Sequence, residues 1–547
     1  MSVPGDYAWS CFHQIRRRCE QWLGGAVSGK VPAHIGWLMS SHSKMRVITD
    51  DILIPWVVLL TFNVSAWLTM NRHLSSARIL SLPRGPVLRI GVSVLDRVHT
   101  SRLQYHQLRS ALTIKAFSSM ATNDDICAQC LYEPLEGVER LEIYRPGGYH
   151  VVQIGDRFHG RYRVAHKLGY GTYSTTWLAR DEQSHKYVAV KICTADSNPK
   201  EADIISSLHH PHCSPDNSNL GMAMVPSLLD KFTIHGPNGE HACYVTAPAR
   251  ASLSALKDGS WIRLFQLDVA RSLAAQLVLA VDYVHARGFV HGDLHLGNIL
   301  LKVPPSFDQL SPEQFYAEYG LPELEPVIHL DGNPLPPGVP SYGVAPVWLG
   351  EASEKVTLAE ARILLSDFGE AFRYPEELKY ASRSPFVMRP PEARFEPNSP
   401  LSFSSDIWTL ACAIWSIIAQ RPLFEGFLAT EDDMTCEHVD VLGVLPPDWW
   451  SRWEPRRYKF TEDGKPINRN PYRSWEDRFE DSVQQPRQDS GMPLFDPKER
   501  EALFDMLRPM LSFRPGIRPT TRQLLDSEWM VKWALPEYDK IRSRVGK

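Results

Sequence analysis

The sequence predicts an α+β fold in two lobes, a small β-rich N-lobe over residues 158–249 and a larger helical C-lobe over 250–536. Three observations predict it. A glycine-rich turn, Leu168 to Trp177, is followed by Val188, Ala189 and Val190, a strand-like run that ends on Lys191. Downstream, Leu264 to Arg287 carries apolar residues at Val269, Leu273, Leu277, Val281 and Val284, the stripe of a packed helix. At 547 residues the chain is also too long for one compact core, so two lobes with extensions are expected.

The first element is a basic extension. Residues 1–119 hold 14 Lys/Arg against 5 Asp/Glu, a net of +9, so the other 428 residues carry −13 towards the overall −4. Within it, Ile52 to Met70 is a run of 19 uncharged residues, just long enough to cross a bilayer, although Pro55, Asn63 and Ser65 weaken it. Arg72, Arg78, Arg84 and Arg89 beyond it, against Lys44 and Arg46 before it, would keep the two lobes cytosolic if segment 52–70 spans. Residues 71–119, rich in Arg and Ser with the single acid Asp96, loosely resemble an internal organelle transit segment. The plainer expectation is a poorly ordered extension, or translation that begins at Met120. A lead-in, 120–157, joins it to the N-lobe.

Composition bounds the rest. Apolar content of 43% and charged content of 22% are those of a soluble globular protein. The acidic body would steer basic substrates, although such charge equally serves solubility. The nine cysteines form a single CxxC, Cys127 and Cys130, which lacks the second half of a zinc site, so free thiols are expected. Val303 to Leu358 is an insertion with ten prolines between Pro304 and Pro346, a density that forbids long helices. It predicts a loop wrapped over the surface or partly mobile. Residues 537–547 read as a C-terminal tail.

The chemistry is carried by motifs in a fixed order. In Leu168, Gly169, Tyr170, Gly171, Thr172, Tyr173, Ser174, Thr175 and Thr176 the glycines let backbone N–H groups approach phosphate oxygens, with Ser174 in place of a third glycine. The Lys191 ammonium would pair with the α and β phosphates, and Ala189 is small enough to leave room for an adenine. Glu201 opens EADIISSL, where its carboxylate would orient Lys191. Tyr244 to Ala249 would be the hinge, with Thr246 as gatekeeper, the Ala247 carbonyl and Ala249 N–H on the adenine edge and Pro248 where no donor is needed. His291, Gly292, Asp293, Leu294, His295, Leu296, Gly297 and Asn298 fit HxDLxxxxN, and Asp367, Phe368 and Gly369 come after them. Asp293 would accept a hydroxyl proton, while Asn298 and Asp367 offer hard oxygens to Mg²⁺ on ATP. Leu300 would floor the adenine pocket.

On these motifs the chain resembles eukaryotic protein kinases, and within them the SR-protein kinases, especially fungal ones. The resemblance spans about residues 145–536 and includes LGYGTYSTTWLARD, SSDIWTLACAIW, HVDVLGVLPPDWW and the position of the insertion. It implies a bilobal protein kinase fold, ATP and Mg²⁺, and Ser/Thr phosphorylation of protein substrates, with Arg/Ser-rich splicing factors among them. It also implies that Asp406 anchors the catalytic-loop backbone and that Arg518 pairs with Glu392 at the end of the activation segment. A monomer in the cytoplasm or nucleus, without direct nucleic-acid contact, goes with that reading. The acidic stretch Glu431, Asp432, Asp433, Glu437 and Asp440 would suit an Arg-rich substrate.

Departures from the pattern keep alternatives open. Gly292 replaces the arginine that in many kinases binds a phosphorylated activation segment, so activity without that phosphorylation is expected. His295 stands where such kinases place a lysine on the γ-phosphate, which would slow transfer and gives HGDLHLGN the look of small-molecule phosphotransferases. A pseudokinase that acts as a nucleotide-binding scaffold is the other alternative.

Overall fold

Six strands build the N-lobe: β1 (Arg157–Phe158), β2 (Tyr162–Gly171), β3 (Ser174–Asp181), β4 (Lys186–Cys193), β5 (Asp230–Gly236) and β6 (Gly239–Thr246). They form one antiparallel sheet in the order β1-β2-β3-β4-β6-β5. The computed structural model describes residues 130–545 apart from 198–199, 211–218, 427 and 470–472. The extension 1–119, its segment 52–70 and Cys127 therefore lie outside the described residues. Among the described residues no helix is long and apolar enough to cross a membrane.

Alternation on the strands decides what faces the cleft. Val188, Val190 and Ile192 join Tyr162, Val164, Trp177 and Val245 in one apolar core, so Ala189 and Lys191 project from the opposite face of β4. Helix α1 (Glu201–Leu208) buries Glu201, Ile204, Ile205 and Leu208 on one stripe, which sets an acid among apolar neighbours.

The C-lobe opens with β7 (Ala249–Ser252) and is organised by α2 (Leu267–Ala286), a helix buried nearly all round, as its Ala, Leu and Val content requires. After it, β8 (Phe289–Val290) and β9 (Ile299–Lys302) bracket the HGD loop. In a three-stranded sheet β9 lies between β7 and β12 (Ile363–Leu365), and β8 pairs with β13 (Phe372–Arg373). The HGD and DFG segments thus leave adjacent strands and emerge side by side.

The insertion is ordered and lies against the N-lobe. Its helix α3 (Pro312–Tyr319) is stopped at one end by a Ser311/Gln314 capping box with Pro312 in the first turn, and at the other by Gly320 at φ 90°. Phe307 and Phe315 pack with Leu178, Tyr187 and Leu349. Tyr187 N–H donates to Asp308 Oδ1 at 2.9 Å and Val347 N–H to the Lys167 carbonyl at 2.8 Å. A hairpin of β10 (Leu324–Pro326) and β11 (Tyr342–Val344) comes next. The lead-in then packs Tyr132, Leu141, Tyr144 and Tyr149 against Val327 and Val339 of the insertion, and its Glu139 meets Lys167 in a buried ion pair. Proline density did exclude a long helix. It did not prevent a helix that starts on proline, where the missing N–H has no partner to lose.

Two expectations are corrected in the remaining helices: α4 (Phe403–Ile418), α5 (Glu431–Leu442), α6 (Pro447–Arg452), α7 (Pro497–Met510) and α8 (Leu535–Val545). Within the expected C-terminal tail 537–547, residues 537–545 are not a loose tail, because α8 runs through to Val545 and inserts Tyr538 and Ile541 into the main core. The acidic stretch on α5 is not an open acidic face. Asp432 accepts from Arg394 and Trp453, and Asp433 from Thr430 and Lys459. Glu437 is buried against Arg478 at 2.8 Å and Asp440 pairs with Arg469 at 2.9 Å. Of these five acids, Glu431 alone keeps a largely exposed carboxylate, at 60%.

Candidate active site

Glu201 is the junction of the site. Its Oε2 lies 2.6 Å from Lys191 Nζ, and its Oε1 accepts the backbone N–H of Phe368 at 3.0 Å. One carboxylate therefore fixes the β4 amine and the DFG turn together. Lys191 Nζ is also 3.5 Å from Asp367 Oδ1. Burial alone would lower the Lys191 ammonium, but Tyr244, Glu201 and Asp367 outweigh it and hold it above its ordinary range. Burial conversely pushes the Asp367 carboxyl up, and Lys191 and His291 reverse this to leave it below the usual carboxylate range. Asp367 takes a left-handed backbone, φ 61°, which turns Phe368 fully into the core beneath His291, ring centroids 4.9 Å apart.

Asp406, at the start of α4, holds the HGD loop from below. It accepts the N–H of His291 at 2.7 Å, that of Gly292 at 2.9 Å and His285 Nε2 at 2.9 Å. Burial lowers the His291 imidazole, against the pull of Asp406. The neutral ring accepts from Asp293 N–H at 3.3 Å and donates to the Ser366 carbonyl at 3.1 Å, which ties the loop to the strand before DFG.

Asp293 stands at the centre of the loop. Asn298 Nδ2 donates to its carbonyl at 2.9 Å and reaches its Oδ2 at 3.3 Å. Its Oδ1 is buried with no hydrogen-bond partner among the described residues. An orphaned carboxylate oxygen is costly unless something else binds there, and a substrate hydroxyl is such a group. Because Asn298 spends its amide N–H on Asp293, its carbonyl oxygen is the atom left for a cation, and with the Asp367 carboxylate it makes the hard-oxygen pair a magnesium ion takes.

The residues expected on the nucleotide side lie as follows. Gly169 and Gly171 lie opposite Thr176 and Ser174 across the β2–β3 turn. Ala189 pairs with Thr246 across β4 and β6, Ala247 and Pro248 come next, and Ala249 opens β7 opposite Lys302. Leu300 is half-buried between the fully buried Ile299 and Leu301, hence on the other face of β9. Leu168 sits differently. It falls at an irregularity between the Lys167↔Trp177 and Gly169↔Thr176 pairs and packs against the Phe307/Phe315 cluster of the insertion. At the end of the activation segment, Arg518 and Glu392 form a buried two-pronged pair at 2.7 and 2.6 Å.

Several supports carry no signal in the sequence. The Tyr149 hydroxyl donates to the Gly171 carbonyl at 2.7 Å and so braces the glycine turn from the lead-in. Lys379 donates to the Glu370 carbonyl at 2.8 Å, and the Ser384 hydroxyl reaches the Gly292 carbonyl at 3.3 Å. These contacts tie the activation segment to its own start and to the HGD loop. Gly292 itself has φ 79°, and a Cβ there would stand 3.0 Å from the Glu370 carbonyl oxygen. An arginine at this position would be strained in this backbone.

The geometry has counterparts among known proteins. A model described as a protein kinase domain matches residues 162–306. A serine/threonine protein kinase of Aspergillus fumigatus is 25% identical over 402 residues, 72% of this chain and 90% of that one. The serine/threonine-protein kinase SRPK of Physarum polycephalum is 24% identical over 407 residues, 72% and 91% of the two chains. Protein kinase dsk1 of Schizosaccharomyces pombe is 38% identical over a shorter 167 residues, 30% of each. Beside the junction at Glu201 and the loop held by Asp406, these likenesses show a protein kinase domain, in a chain similar to serine/threonine protein kinases that include SR-protein-kinase-like ones.

Proposed function

We propose that this kinase transfers the γ-phosphoryl group of ATP to Ser or Thr hydroxyls of Arg/Ser-rich protein segments, with Mg²⁺ as its cation. The observation that carries the reading is the junction at Glu201, which aligns Lys191, Phe368 and Asp367. Lys191 binds the α and β phosphates, and Asn298 and Asp367 would hold the cation, which would supply neutralisation of phosphate charge. Asp293 orients the hydroxyl on its Oδ1. The hydroxyl oxygen bonds to the γ-phosphorus as the bond from that phosphorus to the β–γ bridging oxygen breaks. ADP leaves, and the hydroxyl proton passes to Asp293 and then to solvent. No activation-segment phosphate is needed, since Lys379 and Ser384 hold that segment. The lobes are assigned to 158–249 and 250–545.

The preference for basic segments rests on the family likeness and on the −13 balance of residues 120–547. It does not rest on α5, whose acids are largely used within the chain. A monomer working in the cytoplasm or nucleus without nucleic acid completes the proposal. Purified full-length protein with ATP and Mg²⁺ is expected to label an Arg/Ser peptide over a casein-like acidic peptide, and the Asp367→Ala variant neither. Equal labelling by that variant, or preference for the acidic peptide, defeats the reading.

A further inference from the structure

The imidazole of His295 is held at its Nδ1 end and faces Asp293 with its Nε2 end. Its Nδ1 accepts the backbone N–H of Gly297 at 3.1 Å, as the N-cap of the single turn Leu296–Asn298. An acceptor nitrogen carries no proton, so in the neutral ring the proton sits on Nε2. Nε2 points to Asp293, 3.6 Å from Oδ2, a separation just beyond a hydrogen bond that catalytic groups commonly close when substrate binds. The oxygen it faces is the one Asn298 also approaches, while Oδ1 is the orphan. Room for the ring depends on Gly297, where a Cβ would stand 2.7 Å from His295 Cε1 and 2.8 Å from Nδ1.

We propose that His295 is a positioning residue for Asp293, not a substitute cation on the γ-phosphate: pinned through Nδ1 to Gly297, it steers Oδ2 with Nε2–H and reserves Oδ1 for the substrate hydroxyl. The proposal rests on the phosphotransferase reading of this site, and it makes His295 and Gly297 one device. A lysine at 295 would have neither the acceptor for Gly297 N–H nor a planar donor aimed at Asp293. The loop then offers no cationic side chain of its own to the γ-phosphate.

Glutamine and asparagine separate the two ends of the ring, because Gln places its amide nitrogen near the position of Nε2 and Asn places its oxygen near that of Nδ1. In the full-length protein His295→Asn is expected to lower kcat about 10- to 100-fold, the worth of one hydrogen bond to a charged group. KM for ATP should stay within about twofold, since a change confined to kcat marks an interaction made in the transition state. His295→Gln should recover much of that loss, and His295→Lys should recover none. Gly297→Ala should cost kcat in the natural protein but little more in the His295→Asn background. The readout independent of turnover is imidazole ¹⁵N NMR at pH 7.5, with the His295 resonance assigned by its loss in His295→Asn. A protonated Nε2 beside an unprotonated Nδ1 supports the proposal. An imidazolium, an Nδ1–H tautomer, or a His295→Lys variant with higher kcat and lower KM for ATP overturns it. Wild-type protein that shows this tautomer yet labels no peptide would defeat the phosphotransferase reading and leave the arrangement of the ring standing.

Discussion

Residues 291–298 and residues 303–358 are close neighbours in the chain, yet the first segment hangs on hydrogen bonds to one buried carboxylate and the second on aromatic rings pressed against a sheet. In the catalytic loop, Asp406 accepts two consecutive backbone N–H groups and an imidazole. In the insertion, Phe307 and Phe315 lock into Leu178 and Tyr187. Directional bonds set atoms to within a few tenths of an ångström, which chemistry requires. Apolar contacts set area and tolerate small shifts. The comparison predicts that damage to the loop abolishes function together with stability, whereas damage to the insertion costs stability first.

The largest effect should come from Asp406→Ala. It strands the N–H groups of His291 and Gly292 and frees His285, at a cost of about 3–5 kcal/mol. Urea unfolding and turnover should fall together, and a variant that keeps wild-type turnover would break the comparison. Phe315→Ala should cost about 3 kcal/mol by leaving a cavity under the N-lobe sheet. Faster amide exchange in β3 and β4 with turnover largely kept is the expected signature, and equal loss of turnover would show the insertion to be as exacting as the loop.

The smallest effect concerns a polar group placed in a packed region. His438 lies between Trp408 and Phe424, where burial first, then Arg394 and Arg518, lower its pKa to about 3. The folded protein keeps this ring neutral, while the unfolded chain protonates it below about 6.5. The unfolded state then binds the extra proton, so stability present above that pH is lost as pH falls towards 3, by about 2 kcal/mol at pH 5. His438→Phe should flatten that part of the acid-denaturation curve, and an unchanged slope would remove His438 as its source.

What the sequence revealed was local or strongly patterned. Lys191 follows Val188, Ala189 and Val190 within β4, Glu201 sits on the apolar stripe of α1, and Asp293, Asn298 and Asp367 stand in motifs whose spacing the backbone dictates. Supports between remote segments left no periodicity to read: Tyr149 on Gly171, Glu139 on Lys167, His285 on Asp406. The α5 acids misled because composition does not distinguish a solvated carboxylate from one already matched to an arginine. The last helix left no such signal, since Pro536 lies inside a helical run that enters α8 directly from the π-helical turn Met530–Ala534.

The excursion through the insertion begins and ends at one point in space: Leu301 pairs with Ile363, and Lys302 N–H donates to the Arg362 carbonyl at 2.8 Å. Closing so long a detour adds little entropy beyond a short turn, so its length is almost free while its aromatic content is not. A trimmed version with Lys302 spliced directly to Arg362 would connect well and still strip the cover from Leu178 and Tyr187. The shortened polypeptide should accumulate as aggregate in the expression host, however sound its splice.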